Sequence, residues 1–314
     1  MKFLFLMDPL EQVHPEKDTS LLLMHGAHEK GHEVYYLPNE GVTLKNGRFF
    51  FHTTRVTPHL NGPNPFTKHQ TSVLPDDKVD IIFIRTDPPF EDQYVVNTWL
   101  LDQLPAHIVT INDPAGIRAV NEKLWAAQFA SLVPSTIVSC DRHDLTMFIE
   151  EHKEVIAKPT DGHGGQNIFR VQWEDSNTNV ILENLTGRFK KKIILQKYLP
   201  ESDEGDKRII LLNGDPLGAV LRVHNSDDHR NNFFAGGKPM PAEITARDKE
   251  IIRQLKPKLL ELGLYFVGID IIGNYLIEVN VTSPTCLQEI NHLTGQNLER
   301  QVITFAEELR LYKN

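Results

Sequence analysis

The most suggestive chemistry in this sequence lies in residues 264–286, LYFVGIDIIGNYLIEVNVTSPTC. Read at a period of two, this stretch predicts two strands that are apolar on one face, while the other face carries Asp270, Glu278 and Asn280. Two carboxylates brought together repel each other unless a cation lies between them, and hard oxygen ligands favour Mg²⁺. The pattern therefore predicts a magnesium site on this face. The alternative is a solvated strand face with ordinary acidic residues.

The register of this predicted hairpin follows from its apolar face. Gly273-Asn274 is a turn signal. The apolar residues meet across the two strands if the loop has three residues, 273–275, and this register places Asp270 opposite Glu278. The apolar pairs that it predicts are Ile269 with Val279 and Ile271 with Ile277.

A glycine-rich loop earlier in the chain favours the binding of an anion. Residues 161–167 (DGHGGQN) separate two predicted strands, and Lys158 lies near the end of the first. Glycines let backbone N–H groups approach a phosphate closely. The loop lacks Gly-Lys-Ser/Thr and no helix follows it, so it is neither a Walker A loop nor a Rossmann fingerprint. We interpret it as a phosphate flap; a flexible hairpin tip is the alternative, and His163 is predicted to be a solvent-exposed loop residue.

Cations elsewhere in the chain suit an anionic ligand. Arg208 and Arg222 lie on the two strands of a predicted hairpin that turns at residues 213–215, and Arg85 ends the buried strand predicted at residues 80–85. Ligands of open α/β sheets bind at the carboxyl ends of strands, which makes Arg85 a candidate binding residue. The alternatives are a structural ion-pair face for the first two arginines and simple turn chemistry around Arg85.

The elements that must position these residues begin with an alternation of strands and helices, which predicts an open α/β layer with mainly parallel strands. Its strands are predicted at residues 1–7, 33–37, 80–85 and 108–111, with a hairpin at Asn46-Gly47. One helix, which Asp18-Thr19-Ser20 can cap, is predicted to run to Lys30, and a second is predicted at 91–104. Further helices are predicted at 115–131, 141–151, 245–262 and 296–311, and further strands at 135–139, 155–159, 168–171, 193–199, 207–212 and 216–223.

Composition limits the class of protein. With 314 residues the chain is long enough for two or three domains, and its 40% apolar and 24% charged residues are ordinary for a soluble globular protein. The net charge of −9 argues against bulk nucleic-acid binding. No apolar run approaches the ~20 residues of a membrane span or forms a signal-peptide core. With two cysteines, Cys140 and Cys286, the sequence predicts a cytoplasmic protein without a disulfide framework.

In their order along the chain, a set of short segments resembles bacterial glutathione synthetase, a family of ATP-grasp carboxylate–amine ligases. They are residues 7–9 (MDP), 17–20 (KDTS), 85–90 (RTDPPF), 121–124 (NEKL), 158–165 (KPTDGHGG), 205–208 (GDKR), 235–237 (AGG) and 267–285 (VGIDIIGNYLIEVNVTSPT). Two departures are visible: His163 stands where methionine is expected, and residues 231–234 (NNFF) are bulkier than the small-residue loop expected there.

The resemblance implies an α/β chain, α+β in its C-terminal half, with the ATP-grasp fold. It implies an N-terminal open α/β substrate domain (residues 1–119), a central lid domain (120–199) and a C-terminal catalytic domain (200–314). The implied reaction joins γ-glutamylcysteine and glycine through an acyl phosphate and releases ADP and phosphate. Two Mg²⁺ ions, replaceable by Mn²⁺, would assist, and the protein would be a homo-oligomer, commonly a tetramer. No nucleic acid or membrane partner is implied.

The resemblance also implies roles for individual residues. ATP would be bound by Lys123, Lys158, Gly162, Gly164, Gly165, Gln166, Gln196, Lys197, Tyr198, Leu199 and Asp206. The metal ligands would be Asp270, Glu278 and Asn280, and the catalytic cations Arg208, Arg222 and Arg230, the last on a lid. The substrates would be held by Asp18, Ser20, Arg85, Ser283, Pro284 and Thr285.

Alternatives to this interpretation remain at the level of residues and of function. Lys123 could be a solvated helix lysine, and Ser283-Pro284 simply a turn. Cys286 is interpreted as a spectator thiol, because no histidine is placed in the sequence to activate it as a nucleophile. The alternative functions are a different carboxylate–amine ligase on the same scaffold and a non-enzymatic nucleotide-binding module.

Overall fold

The computed structural model describes residues 1–161, 165–223 and 237–312, and its strands form three sheets. The first sheet contains β1 (Lys2–Leu6), β2 (Glu33–Leu37), β3 (Val42–Lys45), β4 (Arg48–Pro58), β5 (Phe66–Pro75), β6 (Ile81–Ile84) and β7 (Val109–Ile111). Their order is β3-β4-β2-β1-β6-β7, with β5 paired to β4. The helices α1 (Thr19–Glu29), α2 (Asp92–Leu101) and α3 (Pro114–Ala119) connect these strands or follow them.

The parallel centre of this sheet confirms the predicted α/β layer. β2, β1, β6 and β7 are parallel neighbours, and four of the five residues of β1 are buried, as expected for a strand covered on both faces. The helix predicted from Asp18 is confirmed: the Asp18 side chain accepts the Leu21 N–H and caps α1. The hairpin at Asn46-Gly47 is confirmed as well, whereas the long antiparallel pair β4–β5 was not predicted.

The second sheet is smaller and wholly antiparallel. It contains β8 (Thr136–Ser139), β9 (Glu154–Pro159), β10 (Phe169–Gln172) and β11 (Ile193–Lys197) in the order β10-β9-β11-β8. Helices α4 (Arg142–His152) and α5 (Thr178–Leu185) accompany it, and α5 was not predicted. This sheet and its helices have a hydrophobic core of their own, built around residues such as Leu145 and Leu195.

The third sheet is also antiparallel, and it carries the hairpin formed within residues 264–286. Its strands are β12 (Asp206–Leu212), β13 (Asp215–Val223), β14 (Lys238–Pro241), β15 (Phe266–Ile272) and β16 (Tyr275–Asn280), in the order β14-β13-β12-β15-β16. Helices α6 (Ala246–Glu261), α7 (Leu287–Thr294) and α8 (Leu298–Tyr312) complete this part; α7 and β14 were not predicted. The first and third sheets share two hydrophobic cores. One contains Leu4 of β1 and Ile269 of β15, and the other contains Phe3 of β1 and Ile210 of β12.

The predicted register of the hairpin is right at its functional centre and wrong at its turn. Asp270 does pair with Glu278, but the turn has two residues rather than three, and a bulge between Asp270 and Ile271 pairs Ile271 with Leu276. The extra residue is Ile277 of β16, which lies in this bulge instead of lengthening the turn. Leu276 is consequently buried in the core, while Ile277, which was expected there, lines the cavity described below.

The single helix predicted over residues 115–131 is also wrong. α3 ends at Ala119, Val120 is extended (φ −116°, ψ 105°), and a short 3₁₀ helix, Trp125–Gln128, follows. Between these elements the carbonyl of Glu122 accepts the N–H of Val279 at 3.0 Å. This segment leaves the helical conformation and hydrogen bonds to β16, a contact that no local pattern announces.

Within the three described ranges, every helix is too short or too polar to cross a membrane.

Candidate active site

A row of charged side chains crosses four neighbouring strands of the third sheet. Asp206 of β12 pairs with Arg222 of β13, and Arg208 of β12 pairs with Asp270 of β15. Asp270 also pairs with Glu278 of β16. Residues directly opposite each other on antiparallel strands project to the same face. The alternation of these five residues along their strands therefore gathers them on one face, as the sequence predicted for Asp270 and Glu278.

The arginines and aspartates in this row form a buried ion-pair cluster. Arg208 donates to both carboxylate oxygens of Asp270, with Nη2–Oδ2 at 2.8 Å. Arg222 Nη2 lies 3.0 Å from Asp270 Oδ2, and Arg222 also donates to Asp206 at 2.7 and 2.6 Å. Burial alone would raise the pKa of Asp270, but the two guanidinium groups hold it well below its usual range. Burial raises the pKa of Asp206, against the opposing charge of Arg222.

A glycine allows two neighbouring groups to pack closely against the strand that carries Asp270. Gly268 lies two residues before Asp270 on β15, and a side chain there would start 3.1 Å from Pro284 Cβ and 3.2 Å from Arg208 Cδ. Both distances are tighter than ordinary packing allows. Gly268 thus lets the Arg208 side chain and the loop that carries Pro284 pack against the strand.

Two lysines reach the same space from other parts of the chain. Lys123 Nζ donates to Glu278 Oε1 at 2.9 Å. Lys158, at the end of β9, donates to Gln196 Oε1 of β11 at 3.0 Å and is 5% exposed. Burial lowers the pKa of Lys158 to about 8; the negative charge of Glu278 opposes this shift, and the positive charge of Lys123 adds to it. The second and third sheets therefore converge on one region in which lysines and arginines are paired or grouped with carboxylates.

A cavity of ≈ 570 Å³ joins these groups, which is large enough for a nucleotide and a small substrate. Of the predicted residues, those that line it are Lys123, Lys158, Gly165, Gln196, Lys197, Tyr198, Leu199, Asp206, Arg208, Arg222, Asp270, Glu278, Asn280, Ser283, Pro284 and Thr285. An apolar part of its wall is formed by Ile156, Ile168, Ile272 and Ile277. The cavity thus combines an apolar part with a charged part.

The end of β11 and the residues after it form one wall of this cavity. Tyr198 is held from both sides: its hydroxyl donates to Asp203 at 2.8 Å, and the guanidinium of Arg170 lies 3.9 Å from its ring centroid. The Lys197 N–H is already used, since it donates to the Ser135 carbonyl at 2.9 Å. The Lys197 amide is therefore not available as a donor to a ligand at this edge.

Several predicted residues cannot be assigned a place in the cavity. Gly162, Gly164 and Arg230, together with His163 and residues 231–234, lie outside the described residues. Gln166 is described; it lies in an exposed turn and is not among the residues that line the cavity.

The predicted dipeptide residues come together, but they do not line this cavity. Arg85 Nε donates to Ser20 Oγ at 2.9 Å, and Asp18 caps the same helix, α1. Burial lowers the pKa of Arg85 and raises that of Asp18. In the described part of the chain, Arg85 Nη1 is buried without a hydrogen-bond partner. The N-terminal residues that do line the cavity include Asp87, whose charge acts on both Arg85 and Asp18.

The loop after β16 completes the opposite wall. Ser283 Oγ donates to Asp87 Oδ1, so the loop is tied to the N-terminal part of the chain. Cys286 also lines the cavity and is 1% exposed, and burial raises the pKa of its thiol. A raised pKa leaves little thiolate, which agrees with its interpretation as a spectator.

The polar residues at or near the cavity that sequence reasoning missed include Asp8, Glu122 and Asn112. Asp8 accepts the Asp87 N–H at 2.8 Å and lines the cavity, as does Glu122. Asn112 is buried beneath the start of β15, where it donates to the Phe266 carbonyl at 2.8 Å. Asp8 and Glu122 stood within recognised segments of the sequence, but nothing local distinguished their side chains from ordinary loop residues.

The predicted metal ligands fit a divalent cation by their chemistry. They supply two carboxylates and an amide on adjacent strands, and Asn280 Nδ2 lies 3.5 Å from Asp270 Oδ2. In the described ranges no group of three or more His, Cys, Asp or Glu side chains forms a metal site by itself. A site with so few protein carboxylates suits Mg²⁺, which fills its coordination with phosphate and water oxygens.

Comparison with known proteins identifies two families of domain in this chain. The N-terminal domain of prokaryotic glutathione synthetase matches residues 1–118, and the ATP-grasp domain of prokaryotic glutathione synthetase matches residues 122–295. Solved structures of a D-cycloserine synthetase (TM-score 0.69, 14% identity, 99% of this chain and 100% of that one) and of the macrocyclase MdnC from Microcystis aeruginosa (0.66, 15%, 98% and 99%) share the fold.

Full-length relatives agree with these matches. A glutathione synthetase of Synechocystis sp. is 40% identical over 98% of this chain and 99% of its own length. The glutathione synthetase of Escherichia coli K12 is 38% identical over 92% of each chain. With both domains matched in order over nearly its whole length, this chain belongs to the prokaryotic glutathione synthetase family and has the ATP-grasp fold.

Proposed function

We propose that this protein is a glutathione synthetase: it joins γ-glutamylcysteine and glycine, converts ATP to ADP and phosphate, and releases glutathione. The observation that carries this proposal is the full-length match to relatives named glutathione synthetase. Enzymes of the ATP-grasp fold use ATP and a divalent metal ion. The cavity, which gathers Lys123, Lys158, Arg208 and Arg222, supports the use of ATP here.

The chemistry explains why the reaction needs such a site. A carboxylate resists attack by an amine, so the cysteinyl carboxylate of the dipeptide must first become an acyl phosphate. Transfer of the γ-phosphoryl group depends on positioning and on cations that stabilise the charge in the transition state. In this proposal Lys123 and Lys158 hold the α- and β-phosphates, while Arg208 and Arg222 stabilise the transferring phosphoryl group and then the tetrahedral oxyanion.

The nucleotide base is assigned to the wall formed by the second sheet. Gln196, Lys197, Tyr198 and Leu199 would border adenine, with the Lys197 carbonyl as an acceptor for its amino group. The isoleucines of the same cavity would cover the faces of the ring. Asp206 would contribute by orienting Arg222, to which it is hydrogen-bonded. Gly162, Gly164, Gly165 and Gln166 remain the proposed phosphate loop.

Asp270, Glu278 and Asn280 are proposed to hold two Mg²⁺ ions, for which Mn²⁺ could substitute. The ions would supply positive charge to the phosphate oxygens. The protein groups that balance these carboxylates without a metal are Arg208, Arg222 and Lys123. Because Lys123 and Arg222 each contact a proposed ligand, phosphate and metal are expected to enter the same network of charges.

The substrates are assigned to the wall between the first and third sheets. Ser283, Pro284 and Thr285 would shape the pocket for glycine. Asp18, Ser20 and Arg85 stay the proposed dipeptide residues. Asp87 links them to the cavity: its negative charge acts on Arg85, and its carboxylate accepts a hydrogen bond from the Ser283 hydroxyl. Arg230 is proposed as a further catalytic cation.

We further propose that the three sheets correspond to three domains, at residues 1–119, 120–199 and 200–314, and that the protein forms a homotetramer. Limited proteolysis, with the fragments identified by mass spectrometry, would test the boundaries. Light scattering of the purified protein would test the tetramer.

The experiment that tests the function is an ADP-release assay over a panel of dipeptides and amines, with glutathione measured in parallel. ADP release should require both γ-glutamylcysteine and glycine, and each ADP should accompany one glutathione. Equal release with another amine, such as D-alanine, would indicate a different carboxylate–amine ligase. No release with any pair, despite nucleotide binding, would indicate a non-catalytic nucleotide-binding module.

A further inference from the structure

The backbone between the proposed metal ligands and the proposed glycine loop is held by side chains from the N-terminal part of the chain. This backbone is Val281-Thr282, which follows Asn280 and precedes Ser283. The Val281 N–H donates to Glu122 Oε1 at 2.8 Å, and the Val281 carbonyl accepts from Asn112 Nδ2 at 2.9 Å. Both backbone groups of one residue are therefore satisfied by side chains more than 150 positions earlier in the sequence.

Glu122 makes the larger number of these contacts. Its Oε1 atom accepts from Thr282 as well, from the backbone N–H at 3.0 Å and from the hydroxyl at 2.9 Å. Its backbone carbonyl accepts the Val279 N–H at 3.0 Å. Burial, together with the negative charge of Glu278, raises the pKa of Glu122. One carboxylate oxygen and one carbonyl of Glu122 thus hold Val279, Val281 and Thr282 at the end of β16.

Asn112 continues this arrangement on the other side. Its side chain is buried at the end of β7, where Nδ2 also donates to the Phe266 carbonyl at 2.8 Å and Oδ1 accepts the Phe266 N–H at 2.7 Å. The ladder between β15 and β16 begins with Gly268 and Asn280. The Asn112 amide therefore bridges β15 and β16 just beyond the Gly268–Asn280 pair, and it links both strands to the first sheet.

We propose that Asn112 and Glu122 are positioning residues for the ligation, which fix the end of β16 so that Asn280 and the Ser283 loop keep their places relative to the N-terminal wall. This inference rests on the proposed function. Neither side chain is assigned a contact with substrate or nucleotide. Their effect is on geometry, and displacement of a reacting group by 1 Å is enough to slow a reaction about 100-fold.

The neighbouring Lys123 is held independently of the Glu122 side chain. Asn121 Oδ1 accepts the N–H groups of Lys123 and Leu124 at 3.2 and 3.0 Å, and Asn121 Nδ2 donates to the Thr160 carbonyl at 3.0 Å. Loss of the Glu122 carboxylate should therefore disturb the strand end more than the nucleotide lysine. This separation makes the proposal testable.

The test compares Glu122→Ala with Glu122→Gln, which keeps an oxygen acceptor, and with Glu150→Ala, which removes a carboxylate from the exposed face of α4. Kinetics with γ-glutamylcysteine, glycine and ATP are measured beside the dissociation constant of ATP. Hydrogen exchange of the peptide that contains Val281 and Thr282 gives a readout independent of activity.

We expect Glu122→Ala to lower kcat/KM for glycine by roughly 30-fold, since three donors lose a common acceptor. The same variant should change the ATP dissociation constant by less than about threefold and speed exchange at Val281-Thr282 at least about tenfold. Glu122→Gln should stay within about fivefold of the wild type in all three, and Glu150→Ala should match the wild type.

Two results would overturn the proposal. One is a Glu122→Ala protein with wild-type glycine kinetics and wild-type exchange. The other is a variant that loses ATP binding and thermal stability as much as ligation and is not rescued by Glu122→Gln, which is the behaviour of a general structural residue. If the wild type itself makes no glutathione, the proposed function fails, while the exchange measurement still decides whether Glu122 holds this backbone.

Discussion

The clearest quantitative prediction concerns Asp270→Asn, which removes one charge from the buried cluster without changing its shape. In the wild type, two arginines face two aspartates, and the cluster is formally neutral. Asp270 is 5% exposed and contacts both arginines. After the substitution Arg222 keeps its two hydrogen bonds to Asp206. Arg208 loses its carboxylate partner and remains a buried cation.

The expected magnitude follows from this difference. Removing one partner of a buried ion pair typically costs ~3–5 kcal/mol, because the remaining charge is desolvated without compensation. Whole domains are stable by only about 5–15 kcal/mol, so this is a large loss. The matched control is Asp215→Asn: Asp215 pairs with Lys256 at 2.6 Å on the surface, and such exposed pairs contribute about 0–1 kcal/mol.

The effect should depend on pH with a definite sign. The arginines depress the pKa of Asp270 in the folded state, so its contribution to stability is present above its unfolded pKa, about 3.9, and is lost as the pH falls through the lower folded pKa. The difference between the wild type and Asp270→Asn should therefore be constant from pH 5 to 8 and narrow below pH 4.

Urea unfolding without nucleotide or metal measures this difference. Trp125 is a suitable fluorescent reporter, since its 3₁₀ helix contacts β16 beside the cluster. A loss below about 1 kcal/mol at pH 7, equal to that of Asp215→Asn, would refute the reasoning. It would mean that water or rearrangement compensates Arg208 and that the cluster is not a closed electrostatic unit.

Three further predictions follow from the same site. Glu278→Gln should leave thermal stability nearly unchanged but lower Mg²⁺-ATP turnover at least ~100-fold, and unchanged turnover at limiting Mg²⁺ would exclude Glu278 as a metal ligand. Lys158→Met should weaken ATP binding. Burial lowers the folded pKa of Lys158 to about 8, so the unfolded chain binds one proton more than the folded chain between pH 8 and 10.5. The unfolding free energy of the wild type, measured by chemical denaturation, should therefore rise relative to that of the variant over this range, and parallel curves would contradict the prediction. Gly205→Ala should lower the unfolding free energy by at least ~2 kcal/mol, because φ is +121° and the new Cβ would lie 2.6 Å from the Arg222 carbonyl oxygen. The control Gly47→Ala, at φ +77° with open space around it, should lower the unfolding free energy by about 1 kcal/mol. Equal losses of the two variants in thermal unfolding would contradict the steric argument.

Much of the fold was predictable because its signals are local. The Asp18 cap, the Asn46-Gly47 turn and the strand β15 each depend on signals within a few residues, and each prediction is confirmed. The helix predicted over residues 245–262 is another case: α6 begins after Thr245, whose side chain accepts the Asp248 N–H. Propensity and hydrogen bonding between near neighbours suffice to specify such features.

The errors arose where distant contacts outweigh local preference. A continuous helix through residue 131 was a reasonable expectation from local pattern, yet residues 120–124 bond to β16 instead. The bulge after Asp270 likewise depends on the core, which takes Leu276 and leaves Ile277 to the cavity. The proposed dipeptide residues Asp18 and Arg85 lie outside the lining of the cavity, and their role stays a prediction.

The sequence by itself determined the family and the residue types of the site: the ordered segments indicate an ATP-grasp ligase, and the strand pattern places Asp270 beside Glu278. Tertiary structure alone decided how those residues are held. It paired Arg208 and Arg222 with the two aspartates, and it brought Asn112 and Glu122 to the end of β16. The physical reason is that periodicity and turn chemistry act over a few residues, whereas a hydrogen bond between positions 122 and 281 exists only once the sheets have packed.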